Sequence, residues 1–585
     1  MTILVCDDDK EIVEAIEIYL MQEGYDVEKA YDGIQAVEIM KNKKILFIGL
    51  VATTIASLSS CSSDYLETSP TESISTGQAV GTTTNAYKAL NGIAKTMSTQ
   101  QYAWSQGCAG EDRIISIYEN YPSQDYLYNY YAAGWGPIMN IQYNTRNNTS
   151  YTAYPWYYYY TIIGQANSII ANIDNATGPE NEKAFDKASA LTFRAYAYEK
   201  LLHYYCPRWK ESNNGATEAF PLRLDESTGD LAPSKMSEVY QQIYKDCEDA
   251  IALFNSSDFD RSSKEIWIAN VNVAHAVYAR AALTREDYQT ALTQAKLARE
   301  GYPLMSNAEL HSGFCKPTSE WIFGSYGDAT ENLWYWSYGT QYSCNGYYAN
   351  NTACGAGALN KELYDQIPDN DARKAMFLTD DKFPEFDIHD PENVNQSYAF
   401  VQGDDMWDAV YSYIANFYAN SGASSMDAPY QAGYFYLGGQ LKFYVFDTPG
   451  VGYLPFIRSS EMVLIEAEAN YFLGNANDAQ AALVELNKTS GRNPDYSCDK
   501  TGDELWTEIM NYRTLELWGE GFGYSDFKRW GRKIERKTLA QGGNAHAAIA
   551  ITIEPSASAS WVWTVPQYES DYNGAYSTGD KEMNN

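Results

Sequence analysis

Apolar side chains along most of this 585-residue chain recur every three or four positions, the spacing that lines one face of a helix. Ile162, Ala166, Ile169 and Ile173 form one such series, and Leu191, Ala195, Tyr198, Leu202 and Tyr205 form another. Two stretches read as helix, turn, helix. Val271 to Leu283 is rich in Ala, breaks at Thr284-Arg285-Glu286-Asp287 and resumes through Tyr288, Ala291 and Ala295; such small residues let two helices approach closely, as in tetratricopeptide repeats. Met462 to Leu473 is followed by Gly474-Asn475, a pair suited to a left-handed cap, and then by Ala479, Leu483 and Leu486. The two pairs are far apart in the chain, so this is no simple tandem solenoid. Between them, over roughly 313–453, the helical period gives way to Gly-, Asn- and aromatic-rich sequence. The pattern predicts a mainly α fold: a tetratricopeptide-like helical core over roughly 80–310 and 455–535, carrying a long loop-rich aromatic insertion with short strands, where function tends to sit.

Residues 1–60 follow other patterns. Ile3-Leu4-Val5-Cys6-Asp7-Asp8-Asp9 reads as a buried strand ending in carboxylates, Ile12, Ala15, Ile16 and Leu20 share a helix face, and Gly24-Tyr25-Asp26-Val27 opens a second strand. With Tyr31-Asp32-Gly33 and Ala36, this resembles the opening of a response-regulator receiver domain, in which Asp7 and Asp8 would be the acidic pair that binds magnesium. The resemblance ends at residue 39, before the strand that should carry the phosphoacceptor Asp. It therefore implies no phosphorylation chemistry, and residues 1–39 read as a fusion or gene-boundary fragment. Residues 40–60 have the shape of a signal peptide: Lys41, Lys43 and Lys44 precede an apolar run from Ile45 to Ala56 that is short for a membrane span. The run ends in Leu58-Ser59-Ser60-Cys61, which resembles the lipobox of bacterial lipoproteins and predicts a mature chain, 61–585, lipidated at Cys61. Acyl chains there would hold the protein on a membrane without a spanning helix.

Composition narrows the function. The 76 acidic residues against 42 basic ones give a net charge of −34, and residues 1–60, with 11 acids and 5 bases, leave −28 for the rest. Such a surface repels phosphate backbones, which argues against nucleic acid, and it would draw an anionic polymer only through a local basic pocket. With 51 Tyr and 14 Trp, aromatics reach 15 %, more than core filling asks; their amphipathic rings suit wet binding surfaces and can stack on sugars. The nine Cys include no CxxC pair and there are five His, so neither a metal site nor a cofactor is expected, while export would permit disulfides such as Cys344 with Cys354. No Ser/His/Asp order, HExxH string or phosphate-binding loop appears.

A series of strings beyond Cys61 resembles the SusD/RagB family of outer-membrane proteins. They begin with Asp64-Tyr65-Leu66-Glu67-Thr68-Ser69-Pro70, Tyr160-Thr161-Ile162-Ile163-Gly164-Gln165-Ala166-Asn167 and Phe193-Arg194-Ala195-Tyr196-Ala197-Tyr198. Ile457-Arg458-Ser459-Ser460-Glu461 follows, with Glu466-Ala467-Glu468-Ala469, then Arg513-Thr514-Leu515-Glu516-Leu517, Glu520-Gly521, Asp526-Phe527-Lys528-Arg529-Trp530-Gly531 and Val565-Pro566-Gln567. Each is weak alone; their order and spacing are specific. The charged members, Arg513, Glu516, Glu520, Asp526 and Arg529, read as ion pairs between helices rather than as chemistry. The resemblance implies a non-enzymatic surface lipoprotein that binds oligosaccharide or polysaccharide and hands it to a SusC-like TonB-dependent transporter. The same architecture could instead carry peptide or glycoprotein-derived nutrients. A surface glycoside hydrolase would need a carboxylate pair that no spacing singles out. Ligand contacts in such proteins lie in loops, so candidates come from composition: Trp104 and Trp135 in Gly- and Asn-rich surroundings, the alternating run Trp334, Trp336 and Tyr338, and Asn144, Arg146 and Asn345 as polar partners. Trp156 and Trp530, within helical motifs, are assigned to packing.

Overall fold

In the computed structural model the chain divides into two units, residues 1–74 and 75–585. The structure describes residues 80–100, 109–128, 135–326, 343–344, 357–385, 387, 404–420, 436–444 and 453–576 of the larger unit, and scattered residues between 2 and 39 of the smaller one. In the smaller unit β1 (Thr2–Cys6) and β2 (Asp26–Ala30) pair in parallel, with Thr2 opposite Asp26 and Cys6 opposite Ala30. Parallel neighbours need a crossover, and helical residues, among them the buried Val13, occupy the stretch between them. Asp7, Asp8 and Cys61 lie outside the described residues.

The larger unit is mainly helical. Among the described residues its helices of eight or more residues are α1 (Thr83–Thr96), α2 (Ser150–Asn172), α3 (Glu180–Tyr205), α4 (Met236–Ser257), α5 (Val271–Thr284), α6 (Tyr288–Ala298), α7 (Asp404–Asn420), α8 (Ser459–Phe472), α9 (Ala476–Val484), α10 (Gly502–Glu516) and α11 (Gly523–Trp530). α3 is central, packed against α2 and α4 and buried on nearly every side, as its mixed Ala, Tyr and Leu faces require. Both predicted hairpins form. α5 and α6 pair through Ala279, Ala282, Ala291 and Ala295, all fully buried, and Gly474, at φ +81°, turns the chain between α8 and α9. α6 also packs on α8, so hairpins distant in sequence are stacked in space. Arg299, just past α6, ties the stack by donating to Glu466 and Glu485, each at 2.6 Å.

The insertion contributes short strands. β4 (Trp321–Gly324) pairs antiparallel with β8 (Pro455–Arg458), and β3 (Tyr126–Leu127), β5 (Ala358–Leu359), β7 (Gly439–Gln440) and β6 (Phe377–Leu378) form a small antiparallel sheet in that order. Two features differ from the sequence reading. α7 lies inside the stretch read as non-helical, its apolar period of Val410, Ile414, Phe417 and Tyr418 hidden by Gly- and Asn-rich flanks. Cys344 is free and buried against the Tyr418 hydroxyl, so it makes no disulfide with Cys354.

The charged motif residues are internal struts. Arg458, at the end of β8, donates to Glu320 at 2.7 Å, to Glu516 at 2.9 Å and to both oxygens of Glu520 at 2.7 and 2.9 Å. Arg373 joins Asp371 at 2.6 and 2.8 Å to Glu516 at 2.9 Å, and Lys442 reaches Glu520 at 2.6 Å. Arg513 and Arg529 both hold Asp526, each at 2.7 Å. Buried charges survive only when paired this fully. Burial opposes ionisation of Glu516, but Arg492, Arg458 and Arg373 outweigh it and hold its carboxyl well below the usual range; Arg513 and Arg529 likewise outweigh burial at Asp526. A carboxyl whose folded-state pKa is depressed adds stability above its unfolded value, and that stability is lost as pH falls. The thermal midpoint should therefore drop steeply below about pH 4.5. In calorimetry from pH 7 to 3, Glu516→Gln should start lower and show a shallower fall.

Candidate functional site

Where α2 begins, its helical ladder is interrupted in a way that builds a ledge. Pro155 has no N–H for the Tyr151 carbonyl, which instead accepts the Tyr118 hydroxyl at 2.6 Å. One position on, the Tyr205 hydroxyl is inserted into the ladder, donating to the Thr152 carbonyl at 2.7 Å and accepting the Trp156 N–H at 3.0 Å. Tyr118 comes from a π-helix, Ile114–Asn120, that continues a helical turn, Gly110–Arg113. That turn is seated tightly: Gly110 has φ +58°, and a Cβ there would stand 2.1 Å from the Met97 carbonyl oxygen. The loop before α2 is equally fixed, with the Thr152 hydroxyl donating to the Arg146 carbonyl at 2.6 Å and Thr149 capping the helix by accepting the Thr152 N–H at 3.1 Å. Tyr205→Phe should leave the Thr152 carbonyl and Trp156 N–H unpaired and cost about 1–3 kcal/mol. A lowered urea midpoint with an unchanged slope is the expected readout.

On this support lie three half-buried rings and two guanidiniums. Tyr143 and Tyr151 stack with centroids 5.0 Å apart and planes 9° from parallel; Trp135 meets Tyr151 edge-on at 6.3 Å and Tyr121 at 5.9 Å and 57°. The exposed Arg146 lies 5.0 Å from the Tyr143 centroid, and Arg113 lies 5.2 Å from that of Trp135 and 5.4 Å from that of Tyr151. Behind Tyr121 the row of rings continues into the core through Tyr126, stacked on Trp518 at 4.8 Å. The ledge is thus the solvent end of a rigid aromatic row. Arg113 covers one face of Trp135, and among the described residues no ring lies parallel to it, which leaves the other face for an apolar C–H surface, with the Arg113 and Arg146 N–H groups near it for polar atoms.

Beneath the ledge, Glu111 accepts the Tyr158 hydroxyl at 3.2 Å, and Glu119 accepts the Tyr204 hydroxyl at 2.8 Å and the Ser525 N–H at 3.0 Å. Burial pushes both carboxyls above the usual range. They are sealed among tyrosines rather than facing a cleft, so they brace the π-helix and are not a hydrolytic pair.

Of the sequence candidates, Trp135 and Arg146 are on the ledge. Asn144 is below it, buried, its Nδ2 donating to the Tyr524 hydroxyl at 3.1 Å and the Ser560 carbonyl at 2.9 Å, so its amide fastens the loop to the C-terminal segment. Trp104, Trp334, Trp336, Tyr338 and Asn345 fall outside the described residues. Arg113, Tyr143 and Tyr151 complete the ledge and were missed. The available hints were Tyr143 three residues before Arg146 and Tyr151 four before Pro155, faint among 51 tyrosines. Trp156 is packed as read, at 5.0 Å from Tyr205; Trp530 packs on Phe527 and also borders a concavity of about 350 Å³ with Tyr288, Phe472 and Trp506. There Tyr288 and Phe472 stack on each other at 4.4 Å, which occupies one face of each ring. A larger groove of about 740 Å³, between Leu363–Pro368 and α10, mixes apolar Leu363, Ile367, Pro368 and Leu515 with acidic Asp503, Glu504 and Glu508, and has Tyr512 as the one ring among its described lining residues.

Two family models match in tandem: the SusD family over residues 297–583, and starch-binding associating with outer membrane over residues 64–283. Among solved structures, a SusD-like carbohydrate binding protein from Bacteroides vulgatus ATCC 8482 is similar with a TM-score of 0.64 at 20% identity, over 85% of this chain and 97% of that one. A SusD superfamily protein from Bacteroides thetaiotaomicron VPI-5482 gives 0.62 at 20% identity over 84% and 98%, and a surface glycan-binding protein A from Bacteroides thetaiotaomicron gives 0.58 at 15% identity over 85% and 98%. No curated protein matches the sequence.

Proposed function

From homology to the SusD/RagB family on both sides of residue 290, we propose that this protein is a surface-exposed, lipid-anchored outer-membrane protein that binds oligosaccharide or polysaccharide and passes it to a SusC-like TonB-dependent transporter. It is a binding protein and not an enzyme, as members of that family are. The observation that carries the reading is the tandem family match; the ledge supports it chemically. Sugar rings would lie with their C–H faces on Trp135 and their hydroxyls on Arg113, Arg146 and the tyrosine hydroxyls. Trp104, Trp334, Trp336, Tyr338 and Asn345 are further contacts of the same kind in this reading.

Among the described residues no helix is long and apolar enough to cross a membrane. Attachment is assigned to acyl chains on Cys61 after removal of the signal peptide, 40–60, together with the receiver-like fragment 1–39. Cys61→Ala should abolish incorporation of labelled palmitate and shift the protein out of the membrane fraction; a still-acylated variant would rule this anchor out. The binding claim is tested by affinity electrophoresis of the chain begun just after Cys61, on gels holding plant, host and microbial glycans. Retardation by at least one glycan class is expected. Passage through every gel, with binding to peptides instead, would move the cargo to peptide.

A further inference from the structure

Nine arginines are buried among the described residues. Eight donate to carboxylates or backbone carbonyls; Arg194 on Asp246 at 2.7 Å and Arg261 on the Ile322 carbonyl at 2.7 Å are representative. Arg113 is the exception. It is 7 % exposed, makes no hydrogen bond or ion pair among the described residues, and its Nε is closed off from solvent without an acceptor. The rings of Trp135 and Tyr151, at 5.2 and 5.4 Å, offer it only their π faces. A guanidinium this buried is stabilised more by an anion than by aromatic faces, and among the described residues it has no counter-charge. It sits on the ledge, with the exposed Arg146 at the far end of the same aromatic stack.

We propose that the ledge takes an acidic saccharide, whose carboxylate or sulfate ester pairs with the fork of Arg113 while an adjoining ring lies on Trp135. This rests on the glycan-binding reading and names its substrate class. Arg forks pair bidentately with two oxygens of a carboxylate or of a tetrahedral oxyanion, and here the rotamer is already held by two rings, so little ordering is needed on binding. The chain's charge of −34 repels a uniformly anionic polymer, so the preferred ligand carries scattered acidic residues among neutral ones. The geometry is local, two guanidiniums against a strongly acidic whole.

The test presents each acidic glycan of the panel in two forms, native and either carboxyl-reduced or desulfated, and measures affinity by calorimetry. The expected result is that an acidic form binds at least tenfold more tightly than its neutralised partner, that Arg113→Gln abolishes this preference, and that Arg113→Lys keeps part of it. Whether carboxyl reduction or desulfation removes the preference identifies the anion. Arg113→Gln should melt no lower than the parent, since an unpaired buried charge contributes no native ion pair. A large loss of stability would mark Arg113 as a strut and overturn the proposal. Equal binding of native and neutralised forms, unchanged in Arg113→Gln, would overturn it while leaving glycan binding intact. Binding of no glycan at all would overturn both.

Discussion

Arg458→Met should destabilise the protein by about 3–5 kcal/mol, the usual consequence of removing one partner from a buried ionic cluster. Three carboxylates depend on that guanidinium, Glu320, Glu516 and Glu520, none more than 5 % exposed. Arg373 and Lys442 remain as cations, but Glu320 would keep only the more distant Arg492, at 3.8 Å, as a cation beside the Met305 and Ser460 N–H groups it accepts. Domains are stable by only about 5–15 kcal/mol, so this single change consumes a large share of the margin. The cluster joins the β4–β8 pair to the end of α10 and the insertion, hence the loss should be global. Denaturant unfolding checks it, with a midpoint shift expected in Arg458→Met and a partial recovery when Glu520→Gln is added. A change under about 0.5 kcal/mol would show that the cluster is dispensable.

Trp135→Ala should weaken binding of the retained glycan by about 2 kcal/mol, roughly 30-fold, as removal of an aromatic anchor does. Tyr151→Ala should act similarly, because Tyr151 positions both Trp135 and Tyr143, whereas Tyr151→Phe keeps the ring and should stay near the parent. Arg146→Ala, at an exposed position, should cost less. Calorimetric titration measures all four, with thermal melts confirming that each variant is folded. Parent-like affinity in Trp135→Ala would remove the ledge from the binding site.

Much of the fold was legible because its cues are local. The Ala-rich face of α5 and α6, the Gly474 turn and the two buried series on α2 and α3 all follow from spacing within one or two helices. The motif acids and bases were readable as struts for the same reason: Arg513, Asp526 and Arg529 are close in the chain and meet in space. α7 was missed because its four-residue period is flanked by sequence that reads as loop. The ledge was only half legible. Trp135 and Arg146 stand out by residue type and surroundings, but the approach of Arg113 to Trp135 and Tyr151 is a tertiary contact between three segments. It depends on a π-helix and on a tyrosine inserted beside Pro155, neither of which leaves a period in the sequence. Asn144 carries the right chemistry for a ligand, yet its amide is spent inside the protein, and composition cannot tell these two uses apart.

The decisive measurement is a crystal structure of the chain from just after Cys61 with a short oligosaccharide of whichever glycan retards it. A sugar ring against the plane of Trp135, with a polar group on Arg113 or Arg146, is the expected result. Sugar lodged in the concavity beside Trp506 and Trp530, with the ledge empty, would contradict it.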